Sequence, residues 1–429
     1  MIVSSEIRES SRVQAHAGRE QNRHLLLECM PIFAFRETSV FEQSSTRISA
    51  ATYGAVVAIP AHNEADTIRR CLAALAMQRD ESGCPVRAGA FEILIYANNC
   101  SDSTVEVVRH FACCIPHPII VIEAQLPPSQ LSAGAARKTA MDLAAARLAE
   151  RGAADGVILT TDADSCVAPT WFSTTMRELS GGVDCVAGYI DAEPLELVGL
   201  GPAFLARGRL EDAYLRLIAE IDARCDPRRH DPWPNHRVAS GASLAVVLKA
   251  YLAIGGLPLR AVGEDAALTA ALDRGGFKVR HSMAVSVTTS CRLDGRAQGG
   301  AADTMRLRHA MPDAPCDDDL EPALQATRRA IYRGRLRRLL DEQRYRARQV
   351  QDIPAQQPPR PGATFDEAWQ QLCRDNPVLR RGGSLRPSDL PRQIAVATMV
   401  LRHLRLPLSA TTVVPADMSR RERWLEPAA

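Results

Sequence analysis

Four short runs rich in isoleucine and valine, separated by helical patterns, restrict the possible folds of this chain more than any other feature. The runs are continuously apolar rather than alternating, which is typical of strands buried on both faces of a sheet. They occupy residues 55–60 (AVVAIP), 91–96 (FEILIY), 118–123 (PIIVIE) and 156–161 (GVILTT). Strands that alternate with helices predict βαβ units and an open, mostly parallel α/β sheet.

The segments between these runs carry apolar residues three or four positions apart, as one face of a helix requires. Segment 133–151 is rich in alanine and stops at Gly152, which favours a helix with a glycine at its C-terminal end. Further along, the pattern predicts helices over 210–225 and 264–274 and a strand over 278–289. In such sheets, ligands bind beyond the carboxyl ends of the strands.

Shifts in composition divide the 429-residue chain into three parts. Residues 1–50 are polar and weakly periodic, so we expect a flexible segment. Residues 51–310 carry the α/β pattern. Residues 311–429 are predicted to be helical and arginine-rich, with a proline- and glutamine-rich linker near 354–361.

The overall composition is that of a soluble globular protein, with 46% hydrophobic and 24% charged residues. A net charge of +2 gives no general reason to expect a nucleic-acid partner. Twelve cysteines lie without zinc-like spacing, which favours free thiols in a reducing compartment. No window has the character of a membrane span or a signal peptide. We therefore expect a cytoplasmic protein, with peripheral contact at the inner face of the membrane as an open option.

Two aspartates, Asp162 and Asp164, directly follow the fourth apolar run. Alternate residues of an extended chain point the same way, so both carboxylates can face one site. Paired carboxylate oxygens suit Mg²⁺ or Mn²⁺, and such a cation would neutralise a diphosphate. The alternative is that both aspartates simply cap the next turn and helix.

Three other polar segments occur where the predicted strands and helices meet. Residues 60–64 (PAHNE) end the first run, residues 98–104 (NNCSDST) follow the second, and Arg137 and Lys138 lie near the start of the third helix. Each has a simple alternative explanation as a helix cap or a solvated helix face. Together they predict a cluster of polar and charged groups at one edge of the sheet.

The ordered set of motifs resembles that of family 2 glycosyltransferases, which have the GT-A fold. The resemblance covers roughly residues 54–310 and extends to an acidic pair that opens a later helix. The matching positions are Pro60, Asn63, Glu64, Asp102, Thr104, Arg137, Asp162, Asp164, Glu264 and Asp265. It implies a GT-A catalytic domain over 51–310, a nucleotide-sugar donor, a divalent cation (Mn or Mg) and a hydroxyl acceptor, which could be lipid-linked.

The resemblance also implies roles for individual residues on the donor side. Residues 60–64, including Pro60, Ala61, Asn63 and Glu64, would line the nucleotide pocket. Arg137 would contact the donor. Many relatives have an acid at the position of Ala97 that contacts uracil, so its absence here argues against strict UDP specificity. Asn98 could supply a hydrogen bond to the base instead.

The remaining implied roles concern the metal and the chemistry. Asp164 would bind the metal, and Asp162 would contact the ribose or sugar and share in metal binding. Asp265 would act as general base on the acceptor hydroxyl, supported by Glu264. The alternative for this acidic pair is ordinary charge at a helix N-terminus, which the helix dipole favours.

Arginines near the end of the α/β region and beyond it have two interpretations each. Arg292 and Arg296 could contact the donor diphosphate or an anionic acceptor, or could lie in a solvated loop. Segment 328–348 contains nine arginines and could bind anionic lipid or a phosphorylated acceptor. A solvated helix whose arginines are ion-paired is the preferred interpretation of that segment.

The favoured function is metal-dependent transfer of a sugar, by default with inversion at the anomeric centre. A nucleotidyltransferase would also use a parallel sheet and paired aspartates, but it would need a glycine-rich loop where residues 60–63 (PAHN) stand. A catalytically inactive scaffold, or a module that binds anionic surfaces, is the alternative from a different class of protein. The intact Asp162, Asp164 and Asp265 argue against it.

Overall fold

The computed structural model describes residues 36–39, 54–127, 132–295, 299–343 and 364–406. The strands of this part of the chain form one nine-stranded sheet in the order β1-β4-β3-β2-β5-β8-β7-β9-β6. The strands are β1 (Arg36–Ser39), β2 (Ala55–Ala61), β3 (Glu92–Asn98), β4 (Ile119–Ala124), β5 (Val157–Thr160), β6 (Ser165–Val167), β7 (Cys185–Ala192), β8 (Leu244–Val247) and β9 (Val279–Thr289).

Helices cover both faces of the sheet and form most of the C-terminal region. In the described residues the α-helices are α1 (Ile68–Ala76), α2 (Thr104–Ala112), α3 (Ala133–Glu150), α4 (Trp171–Ser180), α5 (Pro194–Gly199), α6 (Pro202–Cys225), α7 (Leu248–Ala253), α8 (Glu264–Arg274), α9 (Ala301–Ala310), α10 (Ala323–Gln343), α11 (Phe365–Asp375) and α12 (Leu390–Arg405). Helix α3 begins after Ser132, whose hydroxyl accepts a hydrogen bond from the Ala135 amide. It ends just before Gly152, which has a φ of 67°.

The predicted α/β fold is confirmed, and its four apolar runs form the parallel half of the sheet. Strand β2 pairs in parallel with β3 and β5, and β3 pairs in parallel with β4. The second half differs, because β8 runs antiparallel to both β5 and β7, and β9 pairs antiparallel with β6. Strand β7, which pairs in parallel with β9, has no counterpart in the sequence prediction.

The two faces of the sheet pack against different helices because successive side chains of a strand point to opposite sides. Val57 and Ile59 of β2 lie in a core with α1, α2 and α4, whereas Val56 and Ala58 lie in a second core with α3, α7 and α8. Thr160 ends β5, whose backbone leads straight into the paired aspartates. The carboxyl ends of β2, β3 and β5 therefore meet at the edge where the predicted site residues lie.

Helix α6 lies in a third cluster with the C-terminal helices α10 and α12. It begins at Pro202, eight residues before the predicted start. Its Tyr214 is fully buried, and the phenol donates a hydrogen bond of 2.7 Å to the Glu321 carbonyl. Helix α6, which lies between β7 and β8 in the sequence, thus packs against the C-terminal region.

Several arginines of helix α10 form ion pairs with acidic residues of the fold. Arg333 lies 2.8 Å from Asp222 of α6, and Arg337 lies 2.9 Å from Asp226. These contacts support the ion-paired interpretation of this segment. Arg344, Arg346 and Arg348 lie outside the described residues, as do the linker near 354–361 and all of the predicted flexible segment except β1.

Two further predictions concern membrane-spanning segments and the state of the cysteine thiols. Across the described residues, no helix combines the length and apolar character needed to cross a bilayer. The eleven cysteines of the described residues are all free thiols.

Candidate functional site

A cleft of about 430 Å³ opens at the carboxyl ends of β2, β3 and β5. Ten of the twelve predicted site residues line it, although they come from six separate stretches of the chain. They are Pro60, Ala61, Glu64, Asn98, Arg137, Asp162, Asp164, Glu264, Asp265 and Arg292. The structure therefore brings nearly the whole predicted set together. Arg296 lies outside the described residues.

Asn63 is the one described member of the predicted set that does not line the cleft. It has a φ of 55°, a left-handed conformation that asparagine tolerates better than most residues. Its side-chain oxygen accepts hydrogen bonds from the backbone amides of Ser101 and Asp102, at 2.7 and 3.3 Å. Asn63 therefore joins the loop after β2 to the loop after β3.

Arg137 lies at the centre of the site and is almost fully buried. Its Nη2 lies 2.8 Å from Asp162, and its Nε donates to Glu264 at 2.9 Å. Nη1 donates to the Gly241 carbonyl at 3.0 Å. Burial alone would lower the pKa of this guanidinium, but the charges of Asp162 and Glu264 outweigh that effect and raise the pKa. One permanent cation thus links the aspartate pair to the acidic pair that opens α8.

Gly241 occupies the space between Arg137 and the predicted base. A Cβ at this position would lie 2.0 Å from the Cζ atom of Arg137, so only glycine fits against the guanidinium. Its amide donates a hydrogen bond of 3.1 Å to Asp265, whose other carboxylate oxygen accepts 2.7 Å from the Ala266 amide. A single peptide segment therefore orients both the arginine and the aspartate.

Arg292 forms a second cation-centred cluster at the opposite side of the aspartate pair. It makes a two-pronged contact with Glu64, at 2.6 and 3.0 Å, and lies 3.0 Å from Asp164. Two residues earlier in the chain, the Ser290 hydroxyl donates a hydrogen bond of 2.7 Å to Glu196 of α5. The loop that carries Arg292 is thus attached to the protein immediately before the guanidinium.

The described cleft lining carries an excess of negative charge. It contains five carboxylates but only two guanidinium groups, which gives a formal charge of −3 when all are ionised. Burial, and next the charge of Asp162, raise the pKa of Asp164 to about 7, although Arg292 opposes the shift. Such a site favours a further cation over a bare anion.

The same residues fit a divalent cation of the magnesium type. Such ions commonly bind through one or two carboxylates and complete their shell with water and substrate phosphates. Asp162 and Asp164 can supply the carboxylates. Within the described parts of the chain, no three His, Cys, Asp or Glu side chains are grouped to hold a metal by themselves. A metal here would therefore complete its shell with water and, when a donor is bound, with substrate phosphates.

Some lining residues were not among the predicted set. Ser132, Ala133 and Ala136 come from the start of α3, and Ala301, Ala302 and Met305 come from α9. Their small or apolar side chains carry no chemical signal in the sequence. The start of α3 could still have been anticipated, because Arg137 lies one turn further along the same helix.

The region around this cleft matches a known family in sequence. Residues 56–219 match the family model described as "Glycosyl transferase family 2". Over this region the chain is similar to the family 2 glycosyltransferases. Glycosyltransferase AglE of Haloferax volcanii is 29% identical over 137 residues, which is 32% of this chain and 38% of that relative. The chain thus matches well under half the length of this curated relative.

Two of the solved structures that are similar to this chain were determined with a bound nucleotide sugar. The mannosyltransferase PcManGT from Pyrobaculum calidifontis, solved with GDP-Man and Mn²⁺, is 15% identical, with a TM-score of 0.41 over 91% of this chain and 85% of that one. S. aureus TarS 1–349, solved with UDP-GlcNAc, is 15% identical, with a TM-score of 0.39 over 68% of this chain and 73% of that one.

Replacing Gly241 with alanine should lower the free energy of unfolding by about 1–3 kcal/mol, because the new methyl group would displace the buried Arg137. Chemical denaturation measures this difference. Gly208→Ala is the matched control, since Gly208 lies in α6 with no atom within 4 Å of an added Cβ. Equal stability of Gly241→Ala and wild type would show that Arg137 is not held against this glycine.

Ionisation of Asp164 should destabilise the fold as the pH rises. The pKa of Asp164 is raised from 3.8 to about 7, so the folded state retains a proton that the unfolded chain releases. The stability that this proton provides is lost as the pH rises from about 4 through about 7. Asp164→Asn cannot ionise, so the stability of wild type relative to this variant should fall over that range.

Thermal melts between about pH 5 and pH 8 measure this difference. Asp155→Asn, at the opposite end of the same strand, is the matched control for removing an aspartate. A constant difference between wild type and Asp164→Asn across the range would contradict the raised pKa.

Proposed function

We propose that this chain transfers a sugar from a nucleotide-diphosphate donor to a hydroxyl acceptor, with a divalent cation and with inversion of the anomeric centre. The observation that carries the proposal is the shared contact of Arg137 with Asp162 and Glu264, at 2.8 and 2.9 Å. Through this contact, Asp162, which is proposed to face the donor, and the acidic pair with Asp265, which is proposed to face the acceptor, lie in one cleft. The match of residues 56–219 to the family 2 glycosyl transferase model supports the same activity.

The donor half of the proposal follows from charge. A nucleotide diphosphate is an anion, and the described lining already carries a formal charge of −3. A divalent cation held by Asp162 and Asp164 would offset that charge and supply electrostatic stabilisation to the departing diphosphate. The small Ala61, Ala133 and Ala136 leave room for the nucleoside, and the buried Asn98 is a polar group that can contact its base.

The acceptor half depends on Asp265. A sugar hydroxyl is a weak nucleophile, so a positioned carboxylate that accepts its proton assists the attack. The amides of Gly241 and Ala266 hold the Asp265 carboxylate in place at 3.1 and 2.7 Å. Glu264 is buried against Arg137, so in this proposal it supports the site and does not accept the proton. Attack from the side opposite the diphosphate would invert the anomeric carbon.

The base selectivity of the donor site is the next part of the proposal. The relatives solved with GDP-Man and UDP-GlcNAc carry different bases, and Ala97 provides no carboxylate for uracil. We therefore propose a donor site without strict uridine selection. A lipid-linked acceptor and peripheral membrane contact remain predictions. The described contacts of α10 favour neither, since Arg333 and Arg337 are paired with acids of the fold.

Sugar-nucleotide hydrolysis or transfer should require a divalent cation and should fall by at least about a thousandfold in Asp164→Ala. The measurement is release of nucleoside diphosphate from UDP-, GDP- and ADP-sugars, with Mn²⁺ and with excess chelator. Asp155→Ala is the control, because it removes an exposed aspartate from the other end of the same strand. Full activity in chelator would refute the metal requirement, and no release from any donor would refute the transferase.

Asp265→Asn should lower turnover by about a hundredfold or more while donor affinity stays within a few-fold of wild type. The amide keeps the shape of the side chain but cannot accept the proton. Asp273→Asn, near the end of the same helix and paired with Arg228, is the matched control. If turnover survives and only the melting temperature changes, Asp265 is structural and Glu264 becomes the first candidate for the base.

A further inference from the structure

We propose that Arg292, which is held by Glu64, is a built-in counter-ion that competes with the divalent cation for Asp164, and that it moves to the donor diphosphate when the cation binds. This inference rests on the proposed function, because it assumes a metal at the aspartate pair. It goes beyond that function by assigning one side chain two successive partners. Arg292 would thereby set how tightly the site binds metal in the absence of donor.

The contacts place the guanidinium against Asp164, one of the two carboxylates that would bind the cation. Arg292 Nη2 lies 3.0 Å from Asp164 Oδ2 and 2.6 Å from Glu64 Oε1, so one nitrogen bridges the two acids. Nη1 donates to the second Glu64 oxygen at 3.0 Å. A cation approaching Asp164 from this side meets a positive charge that already occupies the carboxylate.

The three charged side chains are largely buried, which strengthens the electrostatic competition between Arg292 and a cation. The side chains of Arg292, Glu64 and Asp164 are only 25%, 10% and 17% exposed, so their charges are less screened than those of a surface pair. Glu64 is also held from behind, since the Thr67 hydroxyl donates to it at 2.6 Å and its own amide donates to Thr104 at 2.7 Å. Glu64 is therefore fixed, and in this proposal the arginine is the mobile partner.

The chain around Arg292 allows the side chain to move without unfolding the site. The Cys291 amide donates 2.8 Å to Glu196, next to the bond from Ser290 to the same carboxylate. The backbone is thus anchored, whereas the guanidinium lies at the end of a long flexible stem. Its planar donor fork suits phosphate oxygens as well as carboxylates. If a metal displaced it, the guanidinium would be free to contact a diphosphate bound in the same cleft.

This assignment predicts opposite effects of one substitution on two ligands. Arg292→Gln should bind Mn²⁺ alone at least about tenfold more tightly than wild type, because a competing charge is removed. The same variant should bind a nucleoside diphosphate at saturating Mn²⁺ at least about tenfold more weakly, because the phosphate loses a cationic partner. Arg292→Lys keeps the charge but loses the fork, so both effects should be smaller.

The test measures free Mn²⁺ by electron paramagnetic resonance in a titration without nucleotide, and UDP and GDP affinity by calorimetry with Mn²⁺. Arg70→Gln is the matched control, because Arg70 is an exposed arginine 3.8 Å from Glu193 and outside the cleft lining. Equal melting temperatures establish that the variants are folded. If Arg292→Gln binds Mn²⁺ no more tightly than wild type, or if no variant binds Mn²⁺, the competition is refuted.

The calorimetric measurement of UDP and GDP affinity tests whether Arg292 moves to the diphosphate, separately from whether it competes with the metal. Tighter Mn²⁺ binding with unchanged diphosphate binding would refute the movement of Arg292 to the donor. Activity that persists in chelator would contradict the metal requirement of the proposed function, whereas the Mn²⁺ titration would still report on Arg292. Failure of the proposed function and failure of this inference are therefore distinguishable.

Discussion

The rest of the site depends on the ion pairs of one buried side chain, the guanidinium of Arg137. A charge removed from water must have its donors satisfied and its charge balanced, or burial becomes very costly. Asp162, Glu264 and the Gly241 carbonyl meet that requirement together. Because Arg137 contacts both Asp162 and Glu264, these bonds hold the start of α8 close to the end of β5. They bring residues more than one hundred positions apart into a single polar network.

Much of the fold and the site could be predicted because it follows from local patterns. The run before Asp162 and Asp164 is buried and apolar, and the carboxyl ends of parallel strands meet at one edge. That reasoning places the aspartate pair, Glu64 and Asn98 at one cleft. Helix α8 was predicted with its observed ends because a glycine follows its last residue.

The remaining features depend on contacts between distant residues, which spacing alone does not reveal. Arg137 was expected to contact the donor, but three of its bonds go to protein groups that a local pattern cannot identify. Asn63 was expected in the nucleotide pocket, but its oxygen is used by the amides of the neighbouring loop. The predicted domain boundary near residue 310 is a change in composition. Packing follows a different division, because α6 belongs to the helical cluster.

The close approach of Gly241 to Arg137 also has an evolutionary consequence. With 2.0 Å between Cζ and a notional methyl carbon, the two positions cannot vary independently. A lineage that retains the arginine is more stable if it retains the glycine, and a side chain enters position 241 at lower cost once position 137 has become smaller. Such a change would also leave Asp162 and Glu264 without their common cation. The two residues therefore form one inherited unit, in which the route of substitution matters as much as the residues themselves.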